Sequence, residues 1–206
     1  METTHYSVID RAGSAVAVTY TLNGSFGAGV VAGDTGFLLN NEMDDFTVKP
    51  GLSNQFRLVQ GEANAIAPDK RPLSSMAPTV ALRDGRVSLV LGSQGGPRII
   101  TTILETVLNL LDYDMTPQEA VDAPRLHHQW LPDEILIEPF ALSSDTQALL
   151  QRMGYRIREQ RRWGAAELIQ VGVPPSVNAV VSGRLRSGFY YGASDPRRPA
   201  GAAIGY

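Results

Sequence analysis

Apolar and β-branched positions along residues 5–23, HYSVIDRAGSAVAVTYTLN, fall into two runs around Arg11–Ser14. Asp10 and Gly13 supply turn chemistry there, so the pattern predicts two strands. The second run, AVAVTYT, is mostly apolar or β-branched, which predicts a central strand covered on both faces. Thr79–Leu91, TVALRDGRVSLVL, predicts a hairpin about a type I′ turn at Asp84-Gly85. Ile99, Ile100, Ile103, Leu104, Val107, Leu108 and Leu111 then recur at threes and fours, predicting a helix with one apolar face and Pro97 at its start. Thr116-Pro117-Gln118-Glu119 is a capping box that opens a second helix. A third runs from about Ser144 to Met153 and stops at Gly154. Ile135–Glu138 and Ser176–Val181 read as strands. Two segments have no period: the glycine-rich Gly24–Gly36, and KPGLSNQFRLVQGEANA, which reads as a long surface loop or lid. Strands precede helices in blocks, which favours an α+β or layered-sandwich class over βαβ alternation.

Composition narrows this picture. A chain of 206 residues fits a single domain, 1–206, and folding at this length removes roughly 70% of the extended chain's surface from water. With 43% apolar and 19% charged residues the chain is globular rather than disordered. The formal charge is −3 and the basic residues are scattered, in pairs no longer than Arg161-Arg162 and Arg197-Arg198. That argues against nucleic acid or an anionic membrane as partner. The absence of cysteine excludes disulfides, thiol nucleophiles and cysteine metal sites. No stretch reads as a signal peptide or an apolar run of about 18 residues; were the chain cut from a longer precursor, an export signal would lie on the other part.

Five local patterns could carry chemistry, and each has a plainer reading. Thr3 is one. A threonine hydroxyl needs a base, and a free N-terminal threonine carries one in its own α-amino group, with a typical pKa of about 7.7–8. As written, Met1 and Glu2 precede it, so Thr3 also reads as a strand-edge threonine. Gly95-Gly96-Pro97 before the long helix could present backbone N–H groups to an oxyanion, or simply form a glycine turn; it lacks the Gly-Lys-Ser/Thr ending of a P-loop. Asn40–Asp45, NNEMDD, could hold a substrate ammonium or a metal, or be a solvated acidic loop. Ser74 and Ser75 in RPLSSM could bind a carboxylate or cap a turn. His127-His128 would point to opposite faces of a strand, which opposes joint metal ligation.

Taken together, TTHYSVID, AVAVTYTLN, FGAGVVAG, LLNNEMDDF, KPG, RPLSSMAPT, GSQGG, HHQWLPDE and YGASDPR span nearly the whole chain. In that order they resemble the small subunit of gamma-glutamyltransferase, an N-terminal-nucleophile hydrolase. The resemblance implies an α+β fold, the small-subunit part of a four-layer αββα sandwich. It implies a precursor that cuts itself at Glu2-Thr3, with Thr3 then the catalytic nucleophile and Thr21 orienting it. Gly95 and Gly96 would form the oxyanion hole. Asn23, Glu42 and Asp45 would hold the substrate α-amino group, and Ser74 and Ser75 its α-carboxylate. Lys49–Gly61 would be the lid, with Phe56 where many bacterial relatives have tyrosine. The implied partners are a large subunit of the same precursor, which donates a further arginine, gamma-glutamyl donors such as glutathione, and amino-acid or peptide acceptors. No metal and no organic cofactor is implied, and the expected place is the periplasm or the exterior. Two competing expectations are a related acylase acting on glutaryl-β-lactams or poly-γ-glutamate, and an uncleaved, non-catalytic fragment.

Overall fold

A computed structural model describes residues 3–172 and 188–205. Met1, Glu2 and the predicted strand Ser176–Val181 lie outside the described residues. The chain opens with a hairpin of β1 (Thr3–Ile9) and β2 (Ala15–Thr21). Asp10 closes its turn: the backbone N–H of Ser14 donates to Asp10 Oδ1 at 2.8 Å and that of Gly13 to the Asp10 carbonyl at 3.1 Å. A second hairpin joins β3 (Thr79–Arg83) to β4 (Arg86–Gln94), with Asp84 at φ 52° and Gly85 at φ 75°, both left-handed as a type I′ turn requires. With β8 (Ala165–Val171) and β9 (Tyr190–Ser194) it forms an antiparallel sheet in the order β3-β4-β8-β9.

Successive residues of β4 face opposite ways. Leu89 and Leu91 pack with Ala166, Leu168 and Ala193 against α1 (Ile99–Leu111) and α2 (Pro117–Asp122), forming the main apolar core. On the other face lie β1 and β2. The layers are therefore hairpin, four-stranded sheet and helices. These are three layers of the αββα plan, and the hairpin's outer face carries no helix among the described residues. A small third sheet stands beside them. Here β5 (Leu126–His127) pairs antiparallel with β6 (Ile135–Ile137), which pairs parallel with β7 (Ile157–Glu159) across α3 (Ser144–Arg152). The capping box at Thr116 and Glu119 forms as predicted, and Gly154 follows α3 at φ 96°. No helix among the described residues is long and apolar enough to cross a membrane.

Two expectations need correction. First, among the described residues β2 is not a central strand: it pairs with β1 alone. The inward face of the hairpin is polar, with Thr3, His5 and Ser7 alternating inward, while Tyr6, Val8, Val16 and Tyr20 are exposed on the other face. Second, the buried stripe of α1 is Ile99, Thr102, Ile103, Thr106 and Leu110, whereas Ile100, Leu104, Leu108 and Leu111 face outward. The seven apolar positions cover more than one face, so periodicity alone could not choose which meets the sheet. Thr106 fits the buried stripe because its Oγ1 donates to the Thr102 carbonyl at 2.7 Å, whereas the Thr102 hydroxyl is buried without a hydrogen-bond partner among the described residues.

A buried ionic cluster ties the small sheet to the large one. Asp195 accepts from Arg125 and Arg197 and from the N–H of Ala166; Glu138 accepts from Arg197 and from the N–H groups of Arg125 and Trp163. The guanidinium groups use their remaining donors on the carbonyls of Val121, Ala123 and Trp163. The side chains are at most 3% exposed, and such burial is tolerable because the charges are paired and hydrogen-bonded. Glu138→Ala leaves Arg197 short of a carboxylate and two buried N–H groups unpaired. Denaturant unfolding of the variant is expected to show a loss of about 3–5 kcal/mol, far more than a surface substitution produces.

Candidate active site

Register builds the site. The antiparallel pairing of β1 with β2 sets Thr3 opposite Thr21, and the Thr3 hydroxyl donates to Thr21 Oγ1 at 3.0 Å. The N–H of Asn23 donates to the same Thr21 oxygen at 2.8 Å, which holds that side chain in place. Thr3 is 5% exposed. Next along the inward face, His5 lies over Gly92 of β4, where an added Cβ would come within 2.1–2.7 Å of the imidazole. His5 bonds Thr19 Oγ1 at 2.7 Å and Ser7 Oγ at 3.1 Å. Burial lowers its pKa to about 4, so the ring is neutral near pH 7.

The glycine-rich segment after β2 brings the acidic turn to the same place. Asn23 is left-handed at φ 69° and donates from Nδ2 to the Asn41 carbonyl at 3.2 Å; Asn41 Oδ1 in turn accepts from the N–H of Gly24 at 2.8 Å. Gly27 permits this lacing, since a Cβ there would collide with the Leu39 carbonyl. The short 3-10 turn Glu42–Asp45 follows. Burial pushes the Glu42 carboxyl up to about 7, with help from the adjacent Asp45 carboxyl. Burial raises Asp45 as well. Two carboxyls so placed resist simultaneous ionisation. Oε1 of Glu42 is buried without a hydrogen-bond partner among the described residues, an acceptor waiting for a donor.

A small cavity of about 30 Å³ is lined by Thr3, Thr21, Asn23, Asp45, Phe56, Ser74, Ser75 and Gly96, among others. Glu42 stands beside Asp45 rather than on the cavity wall, and Gly95 stands behind Gly96. The two glycines adopt φ 142° and 59°, conformations that L side chains rarely take. A 3-10 turn, Gly96–Arg98, separates them from α1, so Pro97 sits in that turn rather than in the α-helix. Ser74 Oγ accepts from the N–H of Met76 at 3.1 Å, so it caps a turn and lines the cavity at once. The expected lid folds over the cavity through Asn54. Its Oδ1 accepts from the N–H groups of Phe56 and Leu58, and its Nδ2 donates to the Asp44 carbonyl at 3.3 Å. Gln129 Nε2 holds the Phe56 carbonyl at 3.2 Å.

The two histidines have separate environments, although β5 ends at His127 and His128 lies just beyond it. His127 is buried between Thr101 and Gln129, and His128 is exposed beside Asp133. No group of three or more His, Asp or Glu side chains among the described residues is arranged to hold a metal. Several supports were not legible in the sequence. Arg98 stacks on Trp163 with its guanidinium carbon 4.9 Å from the ring centroid, and braces the glycine turn from behind. The Gln94 amide, oriented to satisfy both neighbours, donates to the Thr3 carbonyl and accepts from Arg198 Nε. Only the Asn41 and Asn54 lacing had a signal, the asparagine content of the two loops.

The family model "Gamma-glutamyltranspeptidase" matches residues 1–205. The chain belongs to the gamma-glutamyltranspeptidase family. It is 53% identical over 204 residues to the "Glutathione hydrolase proenzyme" of a Pseudomonas species, covering 99% of this chain and 35% of the relative. It is 51% identical over 205 residues to the protein of the same name from Escherichia coli, covering 100% of this chain and 33% of the relative. The chain thus spans about a third of the length of these relatives. Among solved structures, a chain of a mutant gamma-glutamyltranspeptidase from Helicobacter pylori superposes with a TM-score of 0.85 at 50% identity, covering 95% of this chain and 100% of that one. A Bacillus anthracis transpeptidase, CapD, gives 0.69 at 24% identity, a likeness of fold alone.

The raised Glu42 carboxyl sets the sign of a pH effect. Its folded pKa of about 7 exceeds the ordinary 4.5, so its contribution to stability is complete below pH 4.5 and is lost as pH rises through 7. Glu42→Gln removes this loss. Melting temperatures taken between pH 4.5 and 7.5 are expected to fall less steeply in the variant than in the parent chain.

Proposed function

We propose that this chain is the catalytic part of an enzyme that transfers or hydrolyses the gamma-glutamyl group of glutathione and related amides. The observation that carries the reading is the 3.0 Å hydrogen bond between Thr3 and Thr21 in a cavity that also meets Asn23, Asp45, Ser74, Ser75 and Gly96. In maturation, Thr3 Oγ1 attacks the Glu2 carbonyl; the amide C–N bond breaks as the ester C–O bond forms, and water then hydrolyses the ester. That exposes the Thr3 α-amine. The amine next takes the hydroxyl proton as Oγ1 attacks the γ-carbonyl of the donor, with the hydroxyl oriented by Thr21. The N–H groups of Gly95 and Gly96 are the donors we assign to the developing oxyanion, a term worth about 3–4 kcal/mol per donor in comparable sites. The proton passes to the departing amine and a gamma-glutamyl ester remains on Thr3. Water or an acceptor amine then resolves it.

The acidic pair supports gamma-glutamyl over glutaryl substrates. A glutaryl group has no α-ammonium, so the unpartnered oxygen of Glu42 would stay unpartnered. An ammonium there satisfies Glu42 and Asp45 together, while Ser74 and Ser75 meet the α-carboxylate. The longer relatives support a precursor whose remaining part assembles with this chain. The exposed Tyr6, Val8, Val16 and Tyr20 give that part an apolar surface to cover. Thr3→Ala in the full-length precursor tests the reading. Turnover of a gamma-glutamyl anilide is expected to fall roughly a thousandfold or more and the precursor to remain uncut. Undiminished turnover by the variant would remove Thr3 from its role.

A further inference from the structure

Once the bond before Thr3 is cut, the reacting residue is also a chain end. Chain ends fray unless they are tied down. The Thr3 hydroxyl is tied to Thr21 Oγ1 at 3.0 Å. The hydroxyl arm and the freed amine both hang on the Thr3 Cα, so a single tie fixes neither the place nor the rotation of that carbon. The Thr3 carbonyl carries a second one. It accepts from the side-chain amide of Gln94, whose oxygen accepts in turn from Arg198 Nε. The partners decide which way the amide points. Turned over, its oxygen would face the carbonyl oxygen and its nitrogen the guanidinium N–H, two like pairs.

Gln94 is well placed to hold something still. It is the last residue of β4 and immediately precedes Gly95 and Gly96. Ala165 of β8 lies opposite it in register. Ser93 Oγ donates to its carbonyl at 2.7 Å, and Gly164 packs against that carbonyl so closely that an added Cβ would come within 2.9 Å. The side chain of one residue thus holds Thr3, while its main chain runs directly into the two glycines. Arg198 comes from the C-terminal side of the molecule. Its N–H donates to the carbonyl of Asp195, a member of the buried ionic cluster, at 3.2 Å, and its own carbonyl accepts from the N–H of Gly201 at 3.1 Å. Arg198 is exposed and Gln94 half-buried.

From this arrangement we infer that Gln94 is a positioning residue: it ties the Thr3 carbonyl so that the attacking hydroxyl and the oxyanion donors keep one separation, and Arg198 holds its amide in the donating orientation. The role deepens the gamma-glutamyl reading and rests on it. Gln94 does not line the cavity, so it acts through Thr3 and not on the substrate. Displacing a reacting group by a fraction of an ångström costs rate. Donor affinity is left to Asn23, Asp45, Ser74 and Ser75, which Gln94 does not hold.

The test uses the full precursor and the enzyme matured from it. Gln94→Glu keeps the length and an acceptor for Arg198 but gives the Thr3 carbonyl no hydrogen. Acylation by a gamma-glutamyl anilide is followed in a single turnover at increasing donor concentration, which separates the acylation rate constant from the donor dissociation constant. The variant is expected to lose about tenfold in the rate constant, the scale of one hydrogen bond, with the dissociation constant and melting temperature close to the parent's. Self-cleavage of its precursor is expected to slow by a similar factor. Arg198→Met is expected to lose a few-fold, and to cost nothing further when added to Gln94→Met, because the arginine acts through the amide. Acylation by Gln94→Glu at the parent rate, a loss that falls on donor affinity or melting temperature instead, or losses at the two positions that multiply would overturn the assignment. If Gln94→Glu fails to fold, the exposed Arg198→Met decides, and parent rates there overturn it. A parent precursor that cuts itself but is never acylated would remove the gamma-glutamyl reading alone, since the cleavage rates still read the tie on Thr3.

Discussion

The contact between the Thr3 and Thr21 hydroxyls is made at the very ends of two seven-residue strands, so it exists only in one register. A slip of one residue would turn Thr3 outward and bring Thr4 and Tyr6 inward, because side chains alternate across the sheet. Apolar burial does not enforce that register here, since the inward face is polar. Specific complementarity does. His5 bridges Thr19 and Ser7 and fits a space that only a glycine at position 92 leaves free. The outward face carries Tyr6, Val8, Val16 and Tyr20 instead.

A hydroxyl placed by strand register can act chemically only if its surroundings are held within a fraction of an ångström. Three loops supply them, and each is fixed by polar contacts rather than by a core. Asn41 laces the acidic turn to Asn23 and Gly24, Asn54 folds the lid onto Asp44, and the glycine turn is braced by Arg98 on Trp163. Trp163 is itself anchored through its N–H to Glu138 and its carbonyl to Arg125, in the buried ionic cluster. Stability and site geometry thus share one set of contacts, hydrogen bonds from Asp195 and Arg197 to Trp163 and a cation–ring contact from Trp163 to Arg98 in the glycine turn.

Local patterns were legible because local chemistry causes them. The Asp84-Gly85 turn, the Thr116 capping box and the Gly154 stop all form where their residues say. The site residues could be named through family resemblance, and the structure brings Thr3, Thr21, Asn23, Asp45, Ser74, Ser75 and Gly96 to one cavity. What stayed hidden was tertiary. Nothing in the periodicity of residues 99–111 says that Thr102 and Thr106 are buried while Leu104 is not. Apart from the neighbours Asp195 and Arg197, the charged partners in the ionic cluster lie 13 to 70 residues apart, with no shared local signature. The position of Arg98 over Trp163 follows from two turns that meet only in the folded chain.

Whether the Thr3 hydroxyl is the group that attacks a γ-carbonyl can be read from a covalent adduct. The matured enzyme is treated with an electrophilic glutamine analogue and digested, and the modified peptide is located by mass spectrometry. One equivalent of label on Thr3, excluded by prior addition of a gamma-glutamyl substrate, is the expected result. Label on Ser74, Ser75 or Thr21, with Thr3 unmodified, would contradict the mechanism at its first step.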